Sequence, residues 1–329
     1  VKLAVHLLRL PYGDEAMSHL RDRLSPEIAL TVGPTLPEPA GFQVLIAGRP
    51  EREHILASPW LQALIVPWAG IPDETKQLMA GFPDVSVHNL HHNAQPVAEA
   101  ALALLLAASK FIIPLDRSMR AGDWTPRYES SPTLLLHGKT ALILGYGAIG
   151  RKVARLCRGL DMETIATRRH ASMPLEQDAA GTIIAPAKAL RDLLPQADAL
   201  FICLPHTAET DGLIGMEELT LLPAHAVLVN IARGPIVDEE ALYQALRTGA
   251  LYAAGLDVWY NYPSGEEDRT HTPPSRFPFH ALENVVMSPH RGAGSTETER
   301  LRVEHLADLL NAAARGDPMP NRVDLAAGY

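Results

Sequence analysis

In Leu142-Ile143-Leu144-Gly145-Tyr146-Gly147-Ala148-Ile149-Gly150 an apolar run breaks into three glycines, and a helical pattern, Ile149–Arg158, follows. Each glycine has a separate physical task in such a turn. Gly145 permits the tight bend after a strand, Gly147 lets the backbone approach a pyrophosphate, and Gly150 lets the helix pack close to the strand. The bare amides at the helix start then receive negative charge. A glycine triplet alone is a weak signal; its place between a strand and a helix gives it weight. Tyr146, Ala148 and Ile149 complete this expected cofactor turn.

The next strand pattern runs into Thr167-Arg168-Arg169. A site for NAD places an acid here, near an offset of about 20 residues, to hold the ribose hydroxyls. A guanidinium cannot accept those protons but pairs well with a phosphate. Arg169 adds a second cation and Thr167 a hydroxyl donor. NADP is therefore the expected cofactor, with NAD as the alternative. The competing explanation is that both arginines are solvated surface charge.

Around this core the chain alternates. Thr140–Leu144, Thr164–Thr167, Ala199–Leu204, Ala226–Asn230, Ala253–Val258 and Val285–Ser288 read as short apolar strands. Helical patterns at Ile149–Arg158, Leu213–Leu219 and Glu239–Thr248 fill most gaps. Near-continuous apolar strands with helices between them indicate a parallel sheet covered on both faces. The first hundred residues repeat the alternation more loosely. Lys2–Leu7, Val44–Ala47, Leu64–Val66 and Val85–Val87 are strand candidates there, with a helical or turn-like Pro72–Met79. Gln95–Ala108 predicts a long helix with Pro96 in its first turn. Glu299–Arg315 predicts a final amphipathic helix that returns to the first domain. Tyr260–His280 is rich in proline, aromatics and charge, and is long for a connection.

Composition bounds the partners. The 329 residues allow a sizeable core and two domains. A formal charge of −9 argues against a nucleic-acid surface. The two cysteines, Cys157 and Cys203, lie in apolar segments and read as reduced buried thiols rather than a disulfide framework. The apolar run near Ala98–Ala108 is too short and alanine-rich for a membrane span. No signal-peptide pattern opens the sequence, so a cytoplasmic protein without nucleic-acid or membrane partners is the expectation. The histidine spacings make no metal site.

Asn230-Ile231-Ala232-Arg233-Gly234-Pro235-Ile236-Val237-Asp238-Glu239-Glu240-Ala241-Leu242 starts at a strand end and turns into a helix. Strand C-termini border the ligand crevice of a parallel sheet. Arg233 is thus placed to grip a substrate carboxylate through its rigid fork; closing a turn or pairing with Asp238 is the alternative. Ile231 and Ala232 border the cofactor. Ser288-Pro289-His290-Arg291-Gly292 follows the last strand, which makes His290 a candidate proton donor and Gly292 a crevice neighbour. Leu204, Pro205, His206 and Thr210 follow another strand and line the cofactor cleft. Asp257 ends a further strand and is a candidate to orient the nicotinamide amide. His91 and His92 are candidates to reach the substrate from the first domain.

With these four segments in order, the chain resembles the D-isomer-specific 2-hydroxyacid dehydrogenases, in their NADP-preferring, glyoxylate/hydroxypyruvate reductase-like form. The Asn230–Leu242 segment is the most specific; residues 1–90 match loosely. The resemblance implies a doubly wound Rossmann cofactor domain, residues 106–290, inserted into a smaller flavodoxin-like α/β substrate domain, residues 1–105 and 291–329. It implies a homodimer built around the cofactor domains and a small 2-oxo or 2-hydroxy acid as substrate. By the same resemblance, the Trp68-Ala69-Gly70 amides hold the substrate carboxylate, Asn93 and Glu99 fall near the domain junction, Arg233 binds substrate and His290 is the acid/base.

One position departs from the pattern. Where the family supports its histidine with a glutamate before a proline, this chain has Tyr262 before Pro263. A phenol bonds to imidazole but is uncharged at neutral pH. Either Tyr262 serves, or Glu266 or Glu267 swings in from the loop, or His290 works with a lower pKa. Two other functions stay open: a formate- or phosphite-type dehydrogenase, and a nucleotide-sensing or corepressor-like module with little turnover.

Overall fold

The computed structural model describes residues 2–8, 13–171, 175–325 and 327. The chain divides into two compact units, Val1–Asn93 with Gly294–Tyr329, and Ala94–Ala293.

The smaller unit holds β1 (Leu3–Leu8), β2 (Ile28–Gly33), β3 (Val44–Ile46), β4 (Ala63–Ile65) and β5 (Ser86–His88). All pair in parallel in the order β2-β1-β3-β4-β5, the flavodoxin-like winding. Side chains alternate across this sheet. Val44, Ile46, Ala63 and Ile65 pack on the helices Asp14–Arg23 and Thr298–Ala314 through Leu20, Val303, Leu306 and Leu310. Leu45, Leu64 and Val66 face Ile55 and Met79 on the other side. The final helix therefore does return to the N-terminal unit. β2 escapes the sequence reading because Ile28 is its only buried residue, as suits an edge strand.

The larger unit adds β6 (Thr140–Leu144), β7 (Glu163–Arg168), β8 (Glu176–Gln177), β9 (Ile183–Pro186), β10 (Ala199–Ile202), β11 (Val227–Asn230), β12 (Ala253–Leu256) and β13 (Val285–Met287). Their order is β13-β12-β11-β10-β6-β7-β9-β8. Only the β8–β9 pairing is antiparallel among the described residues. The winding reverses between β6 and β10, the switch point at which doubly wound sheets bind ligands. Leu142, Leu144, Leu200, Ile202 and Leu228 fill the core on one face. Ile143, Phe201, Val227 and Val229 fill the other. β8 and β9 were not expected from the sequence, because β8 is two exposed residues and β9, though mostly buried, only four residues long.

Two expected boundaries shift. A break at residue 105/106 falls inside the helix Ala94–Ser109. That helix belongs wholly to the larger unit, where Val97, Ala98, Ala101, Leu104, Leu105 and Ala108 are buried in one cluster. A Cβ on Gly255 would stand 2.7 Å from that of Leu104, so the helix lies directly on β12. The helix expected at Leu213–Leu219 begins instead at Met216, after Ile214 bridges to Val237. Among the described residues no single helix is long and apolar enough to cross a membrane; Ala94–Ser109 passes that test only together with Ile112–Arg120, across a 66° bend. Both cysteines are free, and burial pushes the Cys157 thiol up to about 12.

Candidate functional site

β6 delivers the glycine turn to the switch point. Gly145 has φ of 98°, in the region that favours glycine, and a Cβ there would lie 2.7 Å from the Cys203 carbonyl oxygen after β10. A Cβ on Gly150 would lie 2.0 Å from the Gly145 oxygen, so the helix Ala148–Arg158 sits tightly on the turn. A Cβ on Gly147 would meet nothing within 4 Å. Two glycines are thus demanded by protein contacts, whereas the middle one faces open space at a helix N-terminus. That is the shape and polarity a pyrophosphate needs. Tyr146 is buried, donates its hydroxyl to Asp178, and its amide donates to the Thr167 oxygen at 3.0 Å.

At the end of β7, Thr167 is buried while Arg168 and Arg169 are exposed. Arg168 lies 3.9 Å from a Glu176 oxygen, and Arg169 donates to Glu209 at 2.7 Å. Glu209 belongs to the loop after β10, in which Thr210 donates to the Pro205 oxygen at 2.7 Å and accepts from the Thr207 amide at 2.8 Å. His206 in the same loop pairs with Asp211 at 2.8 Å.

β11, β12 and β13 are neighbours and end on the same edge. After β11, Asn230 braces the turn: its amide donates to the Arg233 oxygen at 2.9 Å and its oxygen accepts from Ala232 at 3.1 Å. Ile231 and Ala232 are buried, and the exposed Arg233 donates to the Ala232 oxygen at 2.6 Å. Asp238 caps the next helix by accepting from Ala241 at 2.8 Å, rather than pairing with Arg233. After β13 comes His290, with φ of 56°. Its imidazole Nδ1 lies 2.9 Å from the Tyr262 hydroxyl. Desolvation and the nearby Arg233 guanidinium hold its pKa below the ordinary histidine value, against a smaller opposing pull from Asp257. Burial of the hydroxyl pushes the Tyr262 pKa up, so the phenol keeps its proton in the neutral range.

The smaller unit carries its own loop after β4. The outer rim of the Trp68 indole abuts Gly48, where a Cβ would come within 2.1 Å of the ring. The Trp68 and Ala69 carbonyls accept from Leu90 N–H at 3.1 Å and from the Asn89 side chain at 2.7 Å. His92 is buried; its Nε2 accepts from Arg302, and Nδ1 has no partner. Asn93 Oδ1 is also buried without a partner. Glu99 accepts from Gln95 at 2.7 Å within its helix.

Residues 102–292 match the family described as D-isomer specific 2-hydroxyacid dehydrogenase, NAD binding domain. The chain belongs to that family. A glyoxylate reductase of Korarchaeum cryptofilum is 35% identical over 234 residues, covering 70% of this chain and 66% of that protein. The chain thus spans just under two thirds of the length of that curated relative. A D-isomer specific 2-hydroxyacid dehydrogenase from Xanthobacter autotrophicus Py2, solved with NADPH and MES, shares the fold at a TM-score of 0.79 and 24% identity over 100% of both chains. An NADPH-dependent glyoxylate/hydroxypyruvate reductase from Sinorhizobium meliloti, solved with NADP and sulfate, does so at 0.76 and 20% identity, again over 100% of both.

The His290 imidazole meets the proline-rich loop through Tyr262. Neither loop glutamate supports it: Glu266 pairs with Arg269 at 2.5 Å, and the Glu267 carboxylate folds over Gly265, 2.6 Å from where a Cβ would stand. Tyr262 alone of the three expected supports bonds the ring. Asp257, the candidate to orient the nicotinamide amide, also braces the His290 turn. It accepts from Ser288, and from the Arg291 and Gly292 amides at 2.9 Å each. Two further parts were not foreseen. Trp259 ties its indole N–H to the Ser288 oxygen at 2.8 Å and its amide to the Tyr262 hydroxyl at 3.1 Å. Glu239, 8% exposed, accepts from Ser275 and from the amide and side chain of Arg276, which anchors the proline-rich loop. The acids Asp257 and Glu239 sit in plain sight in the sequence; the amides they bind carry no signal there.

Proposed function

We propose that this chain reversibly reduces a 2-oxo acid to a D-2-hydroxy acid with NADP(H), NAD being the alternative cofactor. The observation that carries the reading is a guanidinium, Arg233 after β11, and the imidazole of His290 after β13 at the C-terminal edge of three adjacent strands, the cation within electrostatic reach of the ring. A bound reduced nicotinamide supplies the hydride. The open Gly147 position and the amides of the helix after it receive the pyrophosphate. Arg168 and Arg169 exchange Glu176 and Glu209 for the adenosine phosphate, a stronger partner for a guanidinium. Arg233 binds the substrate carboxylate and orients the carbonyl. His290 gives its proton to the carbonyl oxygen as that oxygen becomes a hydroxyl. Within the smaller unit, the Ala69 and Gly70 amides are a further carboxylate-binding candidate.

The exposed apolar residues Ile112, Ile113, Met119, Trp124, Tyr128 and Leu135 all lie in one segment of the larger unit. They support a homodimer as part of this reading, which also takes the chain to work in the cytoplasm. Tyr262 in place of a carboxylate favours one second reading, a cofactor-binding sensor with little turnover. Following the absorbance of the reduced cofactor with glyoxylate, hydroxypyruvate and phenylpyruvate separates them. Oxidation of NADPH faster than NADH is expected. Tight cofactor binding by calorimetry without oxidation on any 2-oxo acid would replace the reductase by the sensor.

A further inference from the structure

The group on His290 Nδ1 is a phenol, and a phenol both gives and takes a hydrogen bond. The Tyr262 oxygen already accepts the Trp259 amide at 3.1 Å, and Trp259 is itself fixed by its indole bond to the Ser288 oxygen. The remaining contact of the hydroxyl is His290 Nδ1, at 2.9 Å. In a neutral imidazole one nitrogen accepts and the other carries the proton. A hydroxyl that donates to Nδ1 therefore requires the ring proton on Nε2. A carboxylate at the same place would do the reverse: it only accepts, so it calls for Nδ1–H, and its charge favours the imidazolium.

We infer that Tyr262 is a positioning residue that holds neutral His290 as its Nε2–H tautomer and leaves the imidazolium without an anionic partner at Nδ1. The other charged groups facing the ring are Arg233, which opposes the imidazolium, and Asp257, which favours it. Asp257 is not the Nδ1 partner: its oxygens accept from Ser288, Arg291 and Gly292, and the group that meets Nδ1 is the Tyr262 hydroxyl.

The kinetic consequence rests on the reductase reading; the tautomer does not. When a carbonyl oxygen takes the Nε2 proton of the imidazolium, the ring is left neutral, and solvent must return one proton before the next turnover. Nothing at Nδ1 holds that proton by charge. Reduction should fall with rising pH through a midpoint below the ordinary histidine value of about 6.5.

The test is NMR of the whole chain with isotope-labelled histidine and no cofactor, with His290 assigned by its loss in His290→Asn. Wild type should show neutral His290 as Nε2–H. Tyr262→Phe should lose that preference. Tyr262→Glu should show Nδ1–H and a His290 pKa raised by about one to three units. In a parallel pH profile of kcat/KM for reduction, Tyr262→Glu should move the falling limb upward by the same amount. Tyr262→Phe should lower kcat without moving the limb. Neutral wild-type His290 as Nδ1–H would overturn the inference, whatever the variants do. So would an unchanged His290 pKa in a folded Tyr262→Glu. If the tautomers behave as stated and no 2-oxo acid is reduced, the reductase reading fails and the positioning role stands.

Discussion

Removing the Asp257 carboxylate should unhook the turn that carries His290. Asp257 is 3% exposed, and its three donors, Ser288 and the Arg291 and Gly292 amides, flank the histidine on both sides. His290 itself is held at φ of 56°, where a non-glycine residue costs about 1–3 kcal/mol. A buried donor left without an acceptor costs about 1–3 kcal/mol. The Gly292 amide is buried and counts in full; the Arg291 amide, on an exposed residue, counts in part. Asp257→Ala should therefore lose about 2–4 kcal/mol, and Asp257→Asn, which keeps one acceptor, about half of that. Urea unfolding of the two variants reads the loss, and turnover should fall in the same order. A cycle with His290→Gly isolates the strain. Glycine relieves the left-handed backbone where the clamp enforces it, so His290→Gly should stabilise the wild type by about 1 kcal/mol and the relaxed Asp257→Ala variant by less. An Asp257→Ala protein within about 0.5 kcal/mol of wild type, the ordinary range for surface changes, with unchanged turnover, would refute the clamp.

The glycine turn separates binding from folding. Gly147→Ala, with open space around its new methyl, should keep wild-type thermal stability and weaken NADPH binding, whereas Gly150→Ala must push on the Gly145 oxygen and should cost both; calorimetry with a melting curve distinguishes them. Arg168→Asp should weaken NADPH relative to NADH by about 10–150-fold, the worth of a charge-assisted pair at about 1.5–3 kcal/mol, and an unchanged ratio would defeat the phosphate assignment. Burial and Arg302 lower the His92 pKa to about 3. The unfolded chain takes up this proton below about 6.5 and the folded chain does not, so His92 should contribute a loss of stability as pH falls from there towards 3. His92→Gln should flatten that slope in urea titrations across the range. Trp124→Glu combined with Tyr128→Glu should yield a monomer by light scattering if this apolar segment meets a second copy.

What could be read directly was local. The β6 strand and its three glycines need only neighbours in sequence, because a turn and a helix start are set by backbone conformation. The helix Glu239–Thr248 is similar: Asp238 caps its first turn and Gly249, at φ of 76°, ends it. Buried strands such as Val227–Asn230 announce themselves by unbroken apolar runs. Edge strands do not: β2 and β8 went unseen because solvent on one side removes the pattern, and the inner β9, though mostly buried, is only four residues long.

The candidate site divides the same way. Arg233 and His290 were legible because each follows a strand end, and a parallel sheet sends strand ends to one edge. Their supports were not. Asp257 could be named but not given its task, since its partners are backbone amides a whole strand away. Whether Tyr262, Glu266 or Glu267 would reach the imidazole could not be chosen from spacing, as a proline-rich loop can fold several ways. Sequence alone carried the chemistry available to the chain: a glycine cradle, a pair of cations, an arginine and a histidine. Tertiary contacts chose the hydrogen-bond partners among them, because such a bond depends on atoms meeting within about 3 Å, and long-range packing sets that distance.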